Sequence, residues 1–195
     1  MARRILEGKG PSLARESHNL FFALWPSDEI RTRIDVAARQ LRRDLAPAGR
    51  WLASRRYHMT LHYLGNHAAL PEELVALACG VGDDVRVAPF DLALDAAGSF
   101  RNRSIPWWLG CSEPPSGLHD LWEAIAHGFR AGGSNLLDGS QLVPHVTILR
   151  DAAAPLSPMA IAPIAWPVDE FVLVDSLLGP NAAYTILRRW PLSRA

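Results

Sequence analysis

Two copies of one four-residue pattern, His58-Met59-Thr60-Leu61 and His145-Val146-Thr147-Ile148, constrain this chain more than any other feature. Both lie inside apolar, β-prone runs, 57–64 and 143–150, that read as strands. Side chains two apart in a strand point to the same face. Each copy therefore delivers an imidazole and a hydroxyl to one surface, while Met59 and Leu61, or Val146 and Ile148, anchor the other. With seven histidines and four threonines (Thr32, Thr60, Thr147 and Thr185) in 195 residues, about 0.14 His-x-Thr matches are expected by chance. Two are present.

The rest of the chain reads as strands and helices around these runs. Residues 1–17 are polar and irregular, a flexible leader to a single domain over 18–195. Residues 19–25 form an apolar run closed by Pro26. Ser27 then offers an N-cap, with Asp28 and Glu29 in the first turn. Ile30, Ile34, Ala37, Leu41 and Leu45 give a helical stripe that ends at Pro47 and Gly49. A second helix starts at Pro71 and stops at Gly80. Leu118, Leu121, Trp122, Ile125 and Phe129 mark a third, stopped by Gly132-Gly133. Strand-like runs cover 90–94, 107–111, 171–178 and 183–190. The prolines at 155, 158, 163 and 167 exclude a long helix over 151–167. The second half is a loose echo of the first, and the order fits an α+β arrangement better than a doubly wound parallel sheet.

Composition narrows the function classes. No apolar run approaches the roughly 20 residues that span a bilayer. No signal-peptide-like stretch opens the chain, so the expected location is cytoplasmic. Cys79 and Cys111 stand in no metal-like spacing and read as two free thiols. The formal net charge is zero, so any RNA contact must be local. Lys9 is the only lysine; every other basic residue is arginine, whose planar fork suits phosphate, though codon supply gives the same bias. Arg55-Arg56, Arg101 and Arg103 are candidate phosphate grips or plain solvated charges. The other histidines (His18, His67, His119 and His127) have no partnering pattern.

Two histidines and two hydroxyls suit opening of a cyclic phosphodiester. In-line attack on phosphorus needs a base for water and an acid for the departing oxygen. Imidazole titrates near ~6.5, so one ring can be neutral while the other is protonated. Thr60 and Thr147 can donate to the non-bridging oxygens as charge builds. Neither motif holds an Asp or Cys, so the pattern calls for no metal and no cofactor.

These residues resemble the 2H phosphoesterases, in particular the bacterial 2′-5′ RNA ligase or RNA 2′,3′-cyclic phosphodiesterase branch. The likeness runs from Leu20 onward. It includes Leu20-Phe21-Phe22-Ala23-Leu24, His58-Met59-Thr60-Leu61-His62-Tyr63-Leu64-Gly65, Pro144-His145-Val146-Thr147-Ile148-Leu149-Arg150 and Trp190-Pro191-Leu192. The resemblance implies a bilobal, pseudo-two-fold α+β fold, with two antiparallel sheets facing a central cleft and helices outside. It implies hydrolysis of a terminal RNA 2′,3′-cyclic phosphate to a 2′-phosphate, by His58 and His145 as acid/base pair and Thr60 and Thr147 as phosphate ligands. Arg150 would lie near the phosphate or base, and Phe22 near the nucleobase unless it packs in the core. His62 departs from the pattern; alternation places it on the face of His58 and Thr60, lining the channel or capping its rim. The alternatives are 2′-5′ ligation in the reverse direction, a small cyclic nucleotide as substrate, or a non-catalytic nucleotide-binding module. A monomer without membrane or protein partner is expected.

Overall fold

Residues 16–101 and 103–193 are described by the structure, a computed structural model. Most of the expected leader, residues 1–15, lies outside the described residues. Ser17, expected to belong to it, already begins the first strand. Among the described residues nine strands occur: β1 (Ser17–Leu24), β2 (Arg50–Trp51), β3 (Met59–His67), β4 (Phe90–Ser99), β5 (Trp107–Gly110), β6 (His145–Arg150), β7 (Met159–Val168), β8 (Glu170–Leu178) and β9 (Ala183–Pro191). Three helices accompany them: α1 (Asp28–Leu45), α2 (Glu72–Asp84) and α3 (Ser116–Ala131).

All these strand pairs are antiparallel, in the order β7-β4-β5-β6-β3-β1-β8-β9 with β2 on β6. Only one residue pair, Met59 with Val146, ties β3 to β6. That bridge divides the strands into two sheets, β1-β3-β8-β9 and β2-β4-β5-β6-β7, each with one His-x-Thr motif at the junction. This is the expected α+β, two-sheet arrangement.

Two of the helices cross between the halves. α1 leaves β1 of the first half but packs on β7 of the second. α3 leaves β5 of the second half, yet its Phe129 meets Phe22 of β1 edge-on at 6.3 Å. One core cluster therefore draws on both halves, from Phe22, Leu24 and Met59 to Val146, Ile148 and Ile164.

Local chemistry explains the boundaries. Ser27 caps α1, its hydroxyl accepting from the Ile30 amide at 3.4 Å. Ile30, Ile34, Ala38 and Leu41 make the buried stripe; Ala37 is only partly covered, and Leu45, expected inside it, is exposed. α2 does not stop at Gly80 but runs on to Asp84. Gly82 lies against Trp190 of β9, where a Cβ would fall 2.4 Å from the indole, so glycine here is a packing requirement and not a stop signal. The proline-rich segment holds β7, an edge strand, where an N–H missing at Pro163 or Pro167 can face away from the ladder.

Candidate active site

The pairing of Met59 with Val146 sets the geometry of the site. Both side chains are fully buried on the core face. Antiparallel register then puts His58 opposite Thr147 and Thr60 opposite His145, with all four side chains on the other face and half-buried. Directly opposed Cβ atoms stand about 4.5–5.5 Å apart and diagonal neighbours about 7–8 Å, so His58 and His145 are diagonal neighbours on one face, close enough for the charge of His145 to act on His58. Two histidines 87 positions apart by number share one surface through a single strand bridge.

Both rings are held by the same device. His58 Nδ1 lies 2.8 Å from the Arg56 carbonyl oxygen, and His145 Nδ1 lies 2.7 Å from that of Val143. A carbonyl only accepts, so Nδ1 carries the proton in each ring. Nε2 is thereby left on the far side, as acceptor when neutral and donor when protonated. Burial pushes the His58 imidazolium down to about 4; the Arg56 carbonyl bond opposes this, and the charges of Arg150, His145 and Arg56 add to it. Burial lowers His145 too, against the bond to Val143.

Aromatic side chains pack against each ring. Phe21 stacks on His58 at 5.0 Å and Trp25 at 5.7 Å, while Tyr184 meets it edge-on at 5.3 Å. Phe100 stands edge-on to His145 at 4.8 Å and packs on Trp108. Of the adjacent pair Trp107 and Trp108, the first is buried, donating to the Ala154 carbonyl, and only the second lies on the motif face. A cavity of about 140 Å³ opens beside His58 and Thr60. Arg56, Arg150, Tyr63 and Ser176 also line it, and among the described residues no carboxylate does. Larger grooves of about 460 and 560 Å³ lie by Trp25 and Arg189, and between α1 and β7; no motif residue lines either, although Trp25 of the first stacks on His58.

Arg150 reaches the cavity through a slip in register. β6 pairs with β5 in one register through Thr147 and in another at Leu149, so Ile148 and Leu149 are both buried and Arg150 returns to the motif face. β3 does the same against β1. Thr60 faces Ala23 but His62 faces Phe22, one residue out of step at Leu61. His62 is therefore not on the face of His58. It is 2% exposed on the core side, stacked on Trp122 at 4.8 Å, with Nε2 donating to the Trp122 carbonyl at 2.8 Å. Burial lowers its imidazolium as well. Tyr63 takes the cleft position instead, five past its histidine as Arg150 is five past His145.

Phe22 is likewise in the core, packed on Phe129, Phe171 and Trp190; its neighbour Phe21 faces His58. Tyr63, Phe21 and Tyr184 are cleft residues that the sequence pattern alone did not single out, whereas Arg56, one of the candidate phosphate grips, does line the cavity and Arg55 does not. The second motif carried a signal for Tyr63, through its equivalence to Arg150. Among the described residues no group of three or more His, Cys, Asp or Glu side chains is placed to hold a metal.

Comparison with known proteins gives the same answer from another side. The sequence model of the 2′-5′ RNA ligase superfamily matches residues 26–180. The RNA 2′,3′-cyclic phosphodiesterase of Escherichia coli K12 is 34% identical over 185 residues, covering 92% of this chain and 99% of that protein. The protein of the same name from Thermus thermophilus is 31% identical over 190 residues, covering 89% of each. The crystal structure of E. coli LigT in apo form superposes with a TM-score of 0.71 at 34% identity, covering 92% of this chain and 99% of that one. TT0787 of T. thermophilus gives 0.72 at 27% identity, covering 90% and 98%. The chain belongs to the 2′-5′ RNA ligase superfamily.

Proposed function

We propose that this chain is an RNA 2′,3′-cyclic phosphodiesterase that opens a terminal cyclic phosphate to a 2′-phosphomonoester. The observation that carries the reading is the Met59–Val146 bridge, which brings both His-x-Thr pairs to one face. Its relatives support it: the E. coli and T. thermophilus proteins bear that activity as their name, and E. coli LigT has been crystallised with 3′-AMP and with phosphate.

The step runs on the two Nε2 atoms. One neutral imidazole takes a proton from water as the oxygen attacks phosphorus in line with the ribose O3′. The P–O3′ bond breaks, and the second ring, as imidazolium, gives its proton to O3′. Thr60 and Thr147 donate to the non-bridging oxygens, whose negative charge is largest in the transition state. The guanidinium of Arg150 adds positive charge on the same side. The two rings finish with exchanged protonation, and solvent resets them. An anionic cyclic phosphate between the rings raises both imidazolium pKa values, so binding itself favours the protonated acid. No metal enters this step. With an RNA 5′-hydroxyl in place of water the same displacement leaves a 2′-5′ linkage, the activity the superfamily is named for. The reading carries with it a cytoplasmic monomer; Cys79 and Cys111 are free and half-buried, as suits a reducing compartment.

The test is a defined oligonucleotide with a 2′,3′-cyclic end, incubated with the protein in EDTA. Turnover to the 2′-phosphate is expected. Formation of the 3′-phosphate, or full activity in the H58A/H145A double variant, would overturn the assignment. Complete loss in EDTA would overturn the metal-free step.

A further inference from the structure

Among the described residues Arg56 is the arginine that both lines the His58 cavity and keeps a buried, unpaired guanidinium nitrogen; many of the others are paired with carboxylates. α1 pairs Arg33 with Glu29 and Arg39 with Asp35; elsewhere Arg50 meets Asp151, Arg188 meets Asp83 and Arg189 meets Glu170. Arg56 has no carboxylate partner among the described residues. Its guanidinium lies over the Tyr184 ring at 4.9 Å, with a long 3.4 Å contact from Nη2 to the Tyr184 hydroxyl. Its Nε is buried and has no hydrogen-bond partner among the described residues. A buried N–H donor left unpaired costs free energy unless something arrives to accept from it.

Its position says what would arrive. Arg56 lines the cavity of His58, Thr60 and Arg150, which holds two guanidiniums and no carboxylate of the described residues, in a chain of zero net charge. The local excess of positive charge is greater than one cyclic phosphate monoanion neutralises. Arg56 also sits two residues before His58, and the Tyr184 ring touches both side chains. The adjoining Arg55, by contrast, is exposed and outside the cavity.

We propose that Arg56 binds a second phosphate, the one on the 5′ side of the terminal nucleotide, while the cyclic phosphate lies between the histidines. Arg56 thereby distinguishes an RNA end from a lone cyclic nucleoside phosphate. The proposal rests on the phosphodiesterase reading and deepens it, by making the preceding RNA phosphodiester part of the recognised substrate. Arg56 is a binding residue in this scheme. It touches neither the water nor O3′.

The experiment compares a nucleoside 2′,3′-cyclic phosphate bearing a 5′-hydroxyl with the same molecule bearing a 5′-phosphate. One charge-assisted hydrogen bond corresponds to a preference of about tenfold or more in kcat/KM for the 5′-phosphorylated form. That preference should reside in KM, weaken as salt is raised, collapse towards unity in R56Q and be partly kept in R56K. The proposal is overturned if the wild-type protein shows no preference. It is equally overturned if R56Q lowers both substrates by the same factor, which is what loss of mere support for Tyr184 and His58 would do. Failure of the wild-type protein to open either compound, or a cyclic-ended oligonucleotide, would instead sink the phosphodiesterase reading.

Discussion

Each catalytic candidate is a histidine whose Nδ1 proton is held by a carbonyl two residues upstream, and this fixes which nitrogen faces the cleft. Replacing His58 or His145 singly with alanine removes one acid/base partner, and kcat should fall about 10²–10⁴-fold, read from initial rates on a cyclic-ended oligonucleotide. The pH dependence has a definite sign. Burial destabilises both imidazoliums, so each ring stays neutral to a lower pH than a free histidine. The form with one neutral and one protonated ring is then most populated below the ordinary value of ~6.5. kcat/KM should follow a bell with its maximum on that acid side, and the kcat profile should lie higher in pH because the bound anion stabilises the imidazoliums. A kcat/KM maximum on the alkaline side of neutrality would contradict this. The four motif residues were legible in the sequence because a repeat and a period of two suffice to place them. Phe22 was not, since a run of apolar residues leaves open which of Phe21 and Phe22 points inward; the register with β8 and the packing of Phe129 decide it.

At the scale of elements, the same one-residue slip occurs after both motifs, at Leu61 and at Ile148. It buries two consecutive side chains and brings the residue five past the histidine back to the cleft. Period-two reasoning fails there for a physical reason: a slip inserts an unpaired residue and reverses the facing of everything beyond it. His62 was misplaced on that account, and Tyr63 was overlooked. Glycines mislead in a related way. Gly80 looked like the end of α2, yet the helix continues so that Gly82 can lie flat against Trp190. Gly82→Ala would drive a methyl into the indole and should cost about 1–3 kcal/mol, measured by urea unfolding. Activity per folded molecule should be retained, because both motifs lie on other elements; an unchanged midpoint would show that the α2–β9 contact is looser than this packing requires.

At the scale of the molecule, neither half is complete without the other. The two sheets touch through one bridge, but α1 crosses to cover β7, and α3 crosses back to lay Phe129 on Phe22. The catalytic arrangement depends on this exchange, since one residue pair is too slight a joint to hold two imidazoles in register alone. Ile34, fully buried on the α1 face, is a direct probe of it. Ile34→Ala should lower stability by about 2–5 kcal/mol, through lost burial and the cavity left behind. If the exchange makes the halves one cooperative unit, the loss appears as a shift of a single transition. The seven tryptophans lie in both halves, so their summed fluorescence reports on both and should coincide with far-ultraviolet circular dichroism and with loss of activity. Two separated transitions in the variant would mean that the sheets fold as independent lobes. The shared face of His58 and His145 would then need a constraint beyond the crossed helices and the Met59–Val146 bridge.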